Sequence, residues 1–171
     1  MAIGLLLVRL VFGGLMAAHG SQKLFGWLGG YGLTGTGTFF EQLGFRPGRL
    51  FAAAAGMTEV LGGVLVAVGF GGPIGPALMV SVMLVAVVSV HWGHGLFAAT
   101  NGIEVPLLYA ASAAALAFTG SGRYSLDALF GLTSMSTTAN AGRRMVGVMF
   151  MRVNSKCAHQ VRPPLRGFTA A

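Results

Sequence analysis

A single carboxylate, Glu59, stands near the middle of residues 51–70, a run that is otherwise uncharged and largely apolar. About twenty apolar residues form a helix that can cross the roughly 30 Å hydrocarbon core of a bilayer. A carboxylate at that depth costs a few kcal/mol unless it is paired, protonated or faces a cavity. Arg9 lies about midway along another apolar run, residues 1–18, and is the predicted partner. A structural pair of Arg9 and Glu59 would fix the registry of two helices. A functional Glu59 would exchange protons with a bound small molecule, and the two roles are compatible.

A second set of polar residues is expected to form a cap at one end of the helices. The ends of the first and third apolar runs and the start of the fourth must share one face of the membrane, and each carries polar side chains. Carboxylates and imidazoles can donate or accept protons, so Glu59, His91 and Glu104 are the candidate catalytic groups. The candidates for binding a substrate or another small molecule are His19, Lys23, His94 and Asn101.

Other chemistries fit these residues less well. His19 and His91, on neighbouring helices, would suit a haem, and His91, His94 and Glu104 are ligand types that suit a divalent metal. Their spacing matches no known metal signature, and no metal is predicted. The alternative to a functional role is a structural one, in which the cap residues form hydrogen bonds with one another. The corresponding alternative for Lys23 is an anchor at the lipid headgroups.

The composition indicates a membrane protein. Of 171 residues, 54% are hydrophobic and only 9% are charged, whereas a soluble domain carries about 25% charged residues. The one cysteine, Cys157, excludes an intrachain disulfide, a CxxC redox pair and a cysteine-held iron–sulfur cluster. The net charge of +7 comes largely from six Lys or Arg residues beyond position 140. No helix-turn-helix pattern or aromatic and basic stripe accompanies them, so no nucleic-acid binding is predicted.

The apolar runs predict an all-α membrane protein, a bundle of four transmembrane helices. The spans are residues 1–18, 51–70, 74–90 and 107–119, the last extended by residues 103–106, and a short amphipathic helix at residues 38–43 lies between spans one and two. Small residues at about four-residue spacing, including Gly56 and Gly63, predict close helix packing. Residues 1–132 form the predicted membrane domain, and residues 133–171 a basic tail that is disordered or interfacial.

The charge distribution predicts the orientation. Four spans place both chain ends on one side, and the basic tail is on that side. By the positive-inside rule the N- and C-termini are cytoplasmic, and the polar cap is at the outer face.

Several ordered segments resemble the DoxX family of small bacterial and archaeal membrane proteins. Residues 20–26, GSQKLFG, are similar to its GxxKLFG segment, and residues 56–63, GMTEVLGG, to its GxxExxGG. His91 matches the histidine that ends span three, and residues 101–109, NGIEVPLLY, resemble NGxExxLLY. Residues 40–45, FEQLGF, look like the short helix, and residues 125–127 like the closing SLD. The resemblance covers about residues 3–131.

The resemblance implies a multi-pass protein of the bacterial inner membrane that is a subunit, or a small partner, of a quinone-linked oxidoreductase system. The chain has no flavin, haem or iron–sulfur signature of its own, so whether it is itself an enzyme stays open, and a quinone is the only cofactor suggested. The expected partners are the lipid bilayer and other membrane or redox subunits, and a homo-oligomer is left open. The alternative function is a non-catalytic scaffold, or a small-molecule carrier, in which the polar residues are structural.

Overall fold

The computed structural model describes residues 2–132, and every regular element in that range is helical. Helix α1 is Ala2–Phe25, α2 is Gly32–Gln42, α3 is Gly48–Val68, α4 is Ile74–His94, α5 is Glu104–Thr119 and α6 is Leu126–Leu129. Short 3₁₀ turns lie at Trp27–Gly29 and Ala98–Thr100. The predicted all-α class is therefore confirmed for this range, whereas the predicted basic tail lies outside it.

Three helices, α1, α3 and α4, are long and apolar enough to cross a membrane, with 24, 21 and 21 residues. Helix α5 is also apolar and occupies the position predicted for the fourth span, but it has 16 residues. At 1.5 Å per residue it is about 24 Å long, which is less than a typical hydrocarbon core. The protein is thus a membrane protein, with three helices of full spanning length among residues 2–132.

The boundaries of α1 and α2 differ from those predicted. Helix α1 continues to Phe25, beyond the predicted end at residue 18, because the backbone first turns left-handed at Gly26 (φ 72°). Helix α2 begins at Gly32, ahead of the predicted segment at residues 38–43. Both α1 and α4 contain a π-helical turn, at Arg9–Gly13 and Val87–His91.

Helices α1 and α3 pack against each other in antiparallel fashion through glycines. A Cβ atom on Gly13 would lie 2.6 Å from the carbonyl oxygen of Gly63, and one on Gly20 would lie 2.6 Å from that of Gly56. Both distances are too short for any side chain, so the two backbones touch, as in other small-residue helix contacts in membranes. Helix α3 also packs on α2 and α4, and α4 packs on α5.

The core between the helices is small and rich in methionine, whereas many large apolar side chains point outward. The core consists of Met16, Val66, Met79, Met83, Tyr109, Ala113 and Leu116. Outward-facing Leu7, Leu61 and Val88 are more than half exposed. An apolar outer surface of this kind suits contact with lipid.

Candidate functional site

Glu59 is buried in the middle of α3, and its ion-pair partner is Lys23. The carboxylate residue is 1% exposed, and its Oε1 accepts a hydrogen bond from the ammonium group of Lys23, near the end of α1. The predicted pair of Arg9 and Glu59 is therefore wrong. Because α1 and α3 are antiparallel with Gly20 beside Gly56, the end of α1 lies near Glu59, while Arg9 lies beside the last turn of α3.

Arg9 is bound by backbone carbonyl groups. Its guanidinium donates to the carbonyl oxygens of Val66 and Ala67 at 3.0 Å each, and to those of Ser121 and Tyr124 at 2.6 and 2.8 Å. The carbonyls of a helix's last turn lack intrahelical donors and carry partial negative charge, which suits a cation. Arg9 thus joins the end of α3 to the segment before α6.

The second oxygen of Glu59 has no partner in residues 2–132. Its Oε2 is buried and accepts no hydrogen bond from any of these residues. Leaving a buried polar atom unpaired costs about 1–3 kcal/mol, and more for a charged group. Such an atom in a native protein indicates a bound water, a ligand or a functional role.

A cavity of about 410 Å³ lies beside Glu59, between α2, α3 and α4. Its apolar lining residues include Phe40, Phe45 and Phe51. The ring centroids of Phe45 and Phe51 are 5.4 Å apart. The polar or charged residues that line it are Lys23, Thr58, Glu59, Ser81, Ser89 and His91. An apolar cavity with a few polar groups is the usual form of a small-molecule site.

A second, more open cavity of about 700 Å³ lies on the side of His19 and Tyr31. It shares three lining residues, Lys23, Phe39 and Phe40, with the first cavity. His19 is exposed, and its ring lies edge-on to that of Tyr109 at a centroid distance of 6.0 Å. Lys23 is therefore a wall residue of both cavities.

The structure brings His91 to the first cavity together with Lys23 and Glu59, as a cap at one end of the helices requires. The Nδ1 of His91 lies 2.7 Å from the carbonyl oxygen of Asn101. A carbonyl can only accept, so Nδ1 donates, and in the neutral ring Nε2 is left as an acceptor.

Of the other predicted cap residues, Glu104 holds the loop between α4 and α5, whereas His94 contacts its own helix. Glu104 Oε2 accepts from the backbone N–H of Ala98 at 2.7 Å, and His94 Nδ1 lies 2.9 Å from the carbonyl oxygen of Val90. Neither Glu104 nor His94 lines the cavity beside Glu59. Within residues 2–132, no three His, Cys, Asp or Glu side chains are grouped so that they could hold a metal ion.

Sequence reasoning missed the role of Lys23 as the partner of Glu59 and the three phenylalanine rings of the cavity. It also missed Asp127, whose carboxylate accepts from the backbone N–H groups of Gly71 and Gly72 at 2.9 Å each. Those contacts tie α6 to the turn between α3 and α4. The matched seven-residue spacing of glycines in α1 and α3 was the available signal for the Lys23 contact.

A family model matches the part of the chain that contains Lys23, Glu59 and His91. The DoxX family model matches residues 4–92, just over half of the 171-residue chain. That range covers α1, α2, α3 and nearly all of α4, and it includes Lys23, Glu59 and His91. No curated protein and no solved structure is detectably similar to the chain. On the extent of the family match, the chain belongs to the DoxX family.

Proposed function

We propose that the chain binds a quinone in the cavity beside Glu59 and acts as a membrane partner of a quinone-linked oxidoreductase system. The observation that carries this proposal is that Glu59, whose buried Oε2 has no hydrogen-bond partner in residues 2–132, lines an apolar cavity of about 410 Å³. The volume lies within the roughly 300–1,000 Å³ of small-molecule sites. The aromatic walls suit a flat ring, and the charged pair suits its oxygen atoms.

The hydrogen bonds around the cavity favour a ligand that donates. Glu59 Oε2 needs a donor, but the hydroxyls of Thr58 and Ser81 donate to carbonyl oxygens of their own helices at 2.7 and 2.8 Å. The Nε2 of a neutral His91 accepts. A quinol, the two-electron, two-proton reduced form of a quinone, carries two hydroxyl groups that can fill this role. When the quinol is oxidised to the quinone, Glu59 accepts one of its two protons and Nε2 of His91 accepts the other, while both electrons pass to the partner oxidoreductase. Reduction of the quinone is the reverse of this step.

The membrane placement belongs to the same proposal. With α5 as a fourth span, both chain ends lie on one side of the bacterial inner membrane, and the basic tail favours the cytoplasm for that side. A short span is accommodated by local thinning of the bilayer. The cavity beside Glu59 then opens toward the outer half of the membrane, where a quinone arrives by lateral diffusion.

Quinone binding is tested on the purified full-length protein in detergent. Decylubiquinone is titrated, and the quenching of the fluorescence of Trp27 and Trp92 gives the dissociation constant. Ala54 and Ala111 are both exposed helical residues, but only Ala54 lines the cavity. Ala54→Phe should weaken binding by about tenfold, which corresponds to about 1.4 kcal/mol, because steric overlap with a bound molecule costs about 1–3 kcal/mol. Ala111→Phe should bind as the wild type does.

The carboxylate is tested separately with the reduced ligand. Glu59→Gln should weaken binding of decylubiquinol more than binding of decylubiquinone, because only the quinol donates to this position. If neither form binds the wild type, or if Ala54→Phe and Ala111→Phe behave alike, the quinone proposal is wrong. A carrier or scaffold would then account better for the polar residues. The oxidoreductase partner is sought by crosslinking in native membranes, with co-purification of a redox enzyme as the expected result.

A further inference from the structure

A groove of about 580 Å³ lies at the opposite end of α1 and α3 from Lys23. Its walls come from the first turns of α1, the last turn of α3 and the segment that contains α6. The residues that matter here are Leu6, Arg9, Leu10, Val68, Arg123 and Leu129. The groove shares no lining residue with the cavity beside Glu59, so it is a separate feature of the molecule.

Arg9 carries a buried positive charge that no carboxylate in residues 2–132 contacts. The residue is 2% exposed, and the ion pair found within 4.0 Å in this range joins Lys23 to Glu59. Asp127, the acidic residue of the neighbouring segment, uses its oxygens to accept from two glycine amides and from Ser121 Oγ. Asp127 therefore acts on the charge of Arg9 only through space, without a contact within 4.0 Å. A buried cation is normally in direct contact with an anion, and the guanidinium of Arg9 lacks that contact in residues 2–132.

The guanidinium of Arg9 also keeps one donor free. It has five N–H groups, and four of them point to the carbonyl oxygens of Val66, Ala67, Ser121 and Tyr124. The remaining N–H belongs to Nη2, which makes one of these four bonds. Arg9 lines the groove and also a smaller cavity, and this N–H group remains available for one further acceptor.

Arg123 supplies a second positive charge to the same groove. It is exposed, and its guanidinium carbon lies 5.2 Å from the centroid of the Tyr124 ring, a cation–π contact that holds it at this end of the molecule. The lining residues of the groove include no carboxylate. The groove thus combines two guanidinium groups with an apolar floor of Leu6, Leu10 and Val68.

We propose that this groove binds an anionic phospholipid. The phosphate group accepts from Arg123 and from the free N–H of Arg9, and an acyl chain lies along Leu6, Leu10 and Val68. Guanidinium groups match phosphate geometry, and basic pockets between membrane helices are a known form of lipid headgroup site. The apolar floor is the reason to prefer a lipid to free phosphate.

The test uses native mass spectrometry of the full-length protein in detergent. Phosphatidylglycerol and phosphatidylcholine with identical acyl chains are added in competition. We expect the wild type to prefer phosphatidylglycerol and Arg123→Gln to lose about fivefold of that preference, the effect of one arginine near an anionic headgroup. The matched control is Arg49→Gln, which removes the same charge from an exposed arginine whose Nη2 donates to Thr34 Oγ1.

Three outcomes would overturn the proposal. A wild type without preference would show that no anionic lipid site exists. An equal loss in Arg123→Gln and Arg49→Gln would assign the preference to net charge, including that of the basic tail. Displacement of phosphatidylglycerol by millimolar inorganic phosphate would show that the acyl chain contributes nothing and that free phosphate is the ligand.

Discussion

Replacing Lys23 by methionine should destabilise the protein more than replacing Glu59 by glutamine. Both changes break the same ion pair, but they leave different groups behind. Methionine preserves most of the length of the lysine side chain and removes its charge, so Glu59 is left buried with neither oxygen paired. Glutamine keeps the shape of Glu59 and leaves the ammonium group of Lys23 alone.

The exposed fractions of the two side chains determine how much free energy of unfolding each variant should lose. The side chain of Glu59 is 2% exposed and that of Lys23 is 30% exposed. Breaking a buried pair costs about 3–5 kcal/mol, and we expect about 3 kcal/mol for Lys23→Met because the pair is partly solvated. In Glu59→Gln the ammonium group can turn toward water, so the loss is about 1 kcal/mol, close to that of one hydrogen bond.

The assay is reversible unfolding in mixed micelles of mild detergent and sodium dodecyl sulfate, followed by circular dichroism. The double variant Lys23→Met with Glu59→Gln completes a thermodynamic cycle and should show a coupling energy of at least about 1 kcal/mol. A second cycle with Arg9→Gln and Glu59→Gln is the control. Arg9 contacts no atom of Glu59, so these two losses should add within about 0.5 kcal/mol.

Two results would refute this reasoning. If Glu59→Gln were the more costly single change, the lysine would be the buried partner and the burial pattern would be reversed. If the coupling energy were larger in the cycle with Arg9 than in the cycle with Lys23, the partner of Glu59 would be Arg9, as the sequence predicted.

Two further predictions concern helix packing and the turn between α3 and α4. Gly20→Ala should lower the free energy of unfolding by about 2 kcal/mol, because its Cβ would lie 2.6 Å from the carbonyl oxygen of Gly56; Gly14→Ala, with nothing within 4 Å, should be neutral or stabilising in the same assay. Asp127→Asn should weaken the two charge-assisted hydrogen bonds from the backbone amides of Gly71 and Gly72. A loss of about 1.4 kcal/mol would make these amides exchange hydrogen about tenfold faster, as measured by hydrogen-exchange mass spectrometry. Unchanged exchange would contradict the assigned role of Asp127.

The need of Glu59 for a partner could be predicted from the sequence, but the partner could not be found by comparing depths in apolar runs. Arg9 and Glu59 both lie about midway along their runs as drawn at residues 1–18 and 51–70. The real α1 extends to Phe25, so its centre is farther along the chain and Arg9 is near its first third. The glycines could have predicted which residues of α1 and α3 face each other. Gly13 and Gly20 have the same seven-residue spacing as Gly56 and Gly63, so both contacts can form at once between antiparallel helices.

The end of the molecule that holds the polar cap could also be predicted, since it follows from helix order alone. The contacts of the cap could not. His91 is oriented by the backbone carbonyl of Asn101, and Glu104 by the backbone amide of Ala98. These contacts depend on the path of the loop between α4 and α5, and a pattern of residue types does not determine a backbone path. The cavity could not be predicted either, because it depends on how α2 packs on α3 and not on residue types alone.

Arg9 and Glu59, two of the buried charged residues in residues 2–132, are satisfied by different means, and the difference indicates where a ligand is needed. Arg9 lies where α3 ends, so carbonyl groups without intrahelical donors are available to it. Glu59 lies in the middle of the same helix, where the backbone N–H groups are already used within the helix and a carboxylate can find no backbone donor. Its partners must be side chains, water or a ligand. Lys23 supplies a donor for Oε1, Oε2 has no partner in residues 2–132, and Glu59 lines a cavity large enough for a molecule that can donate.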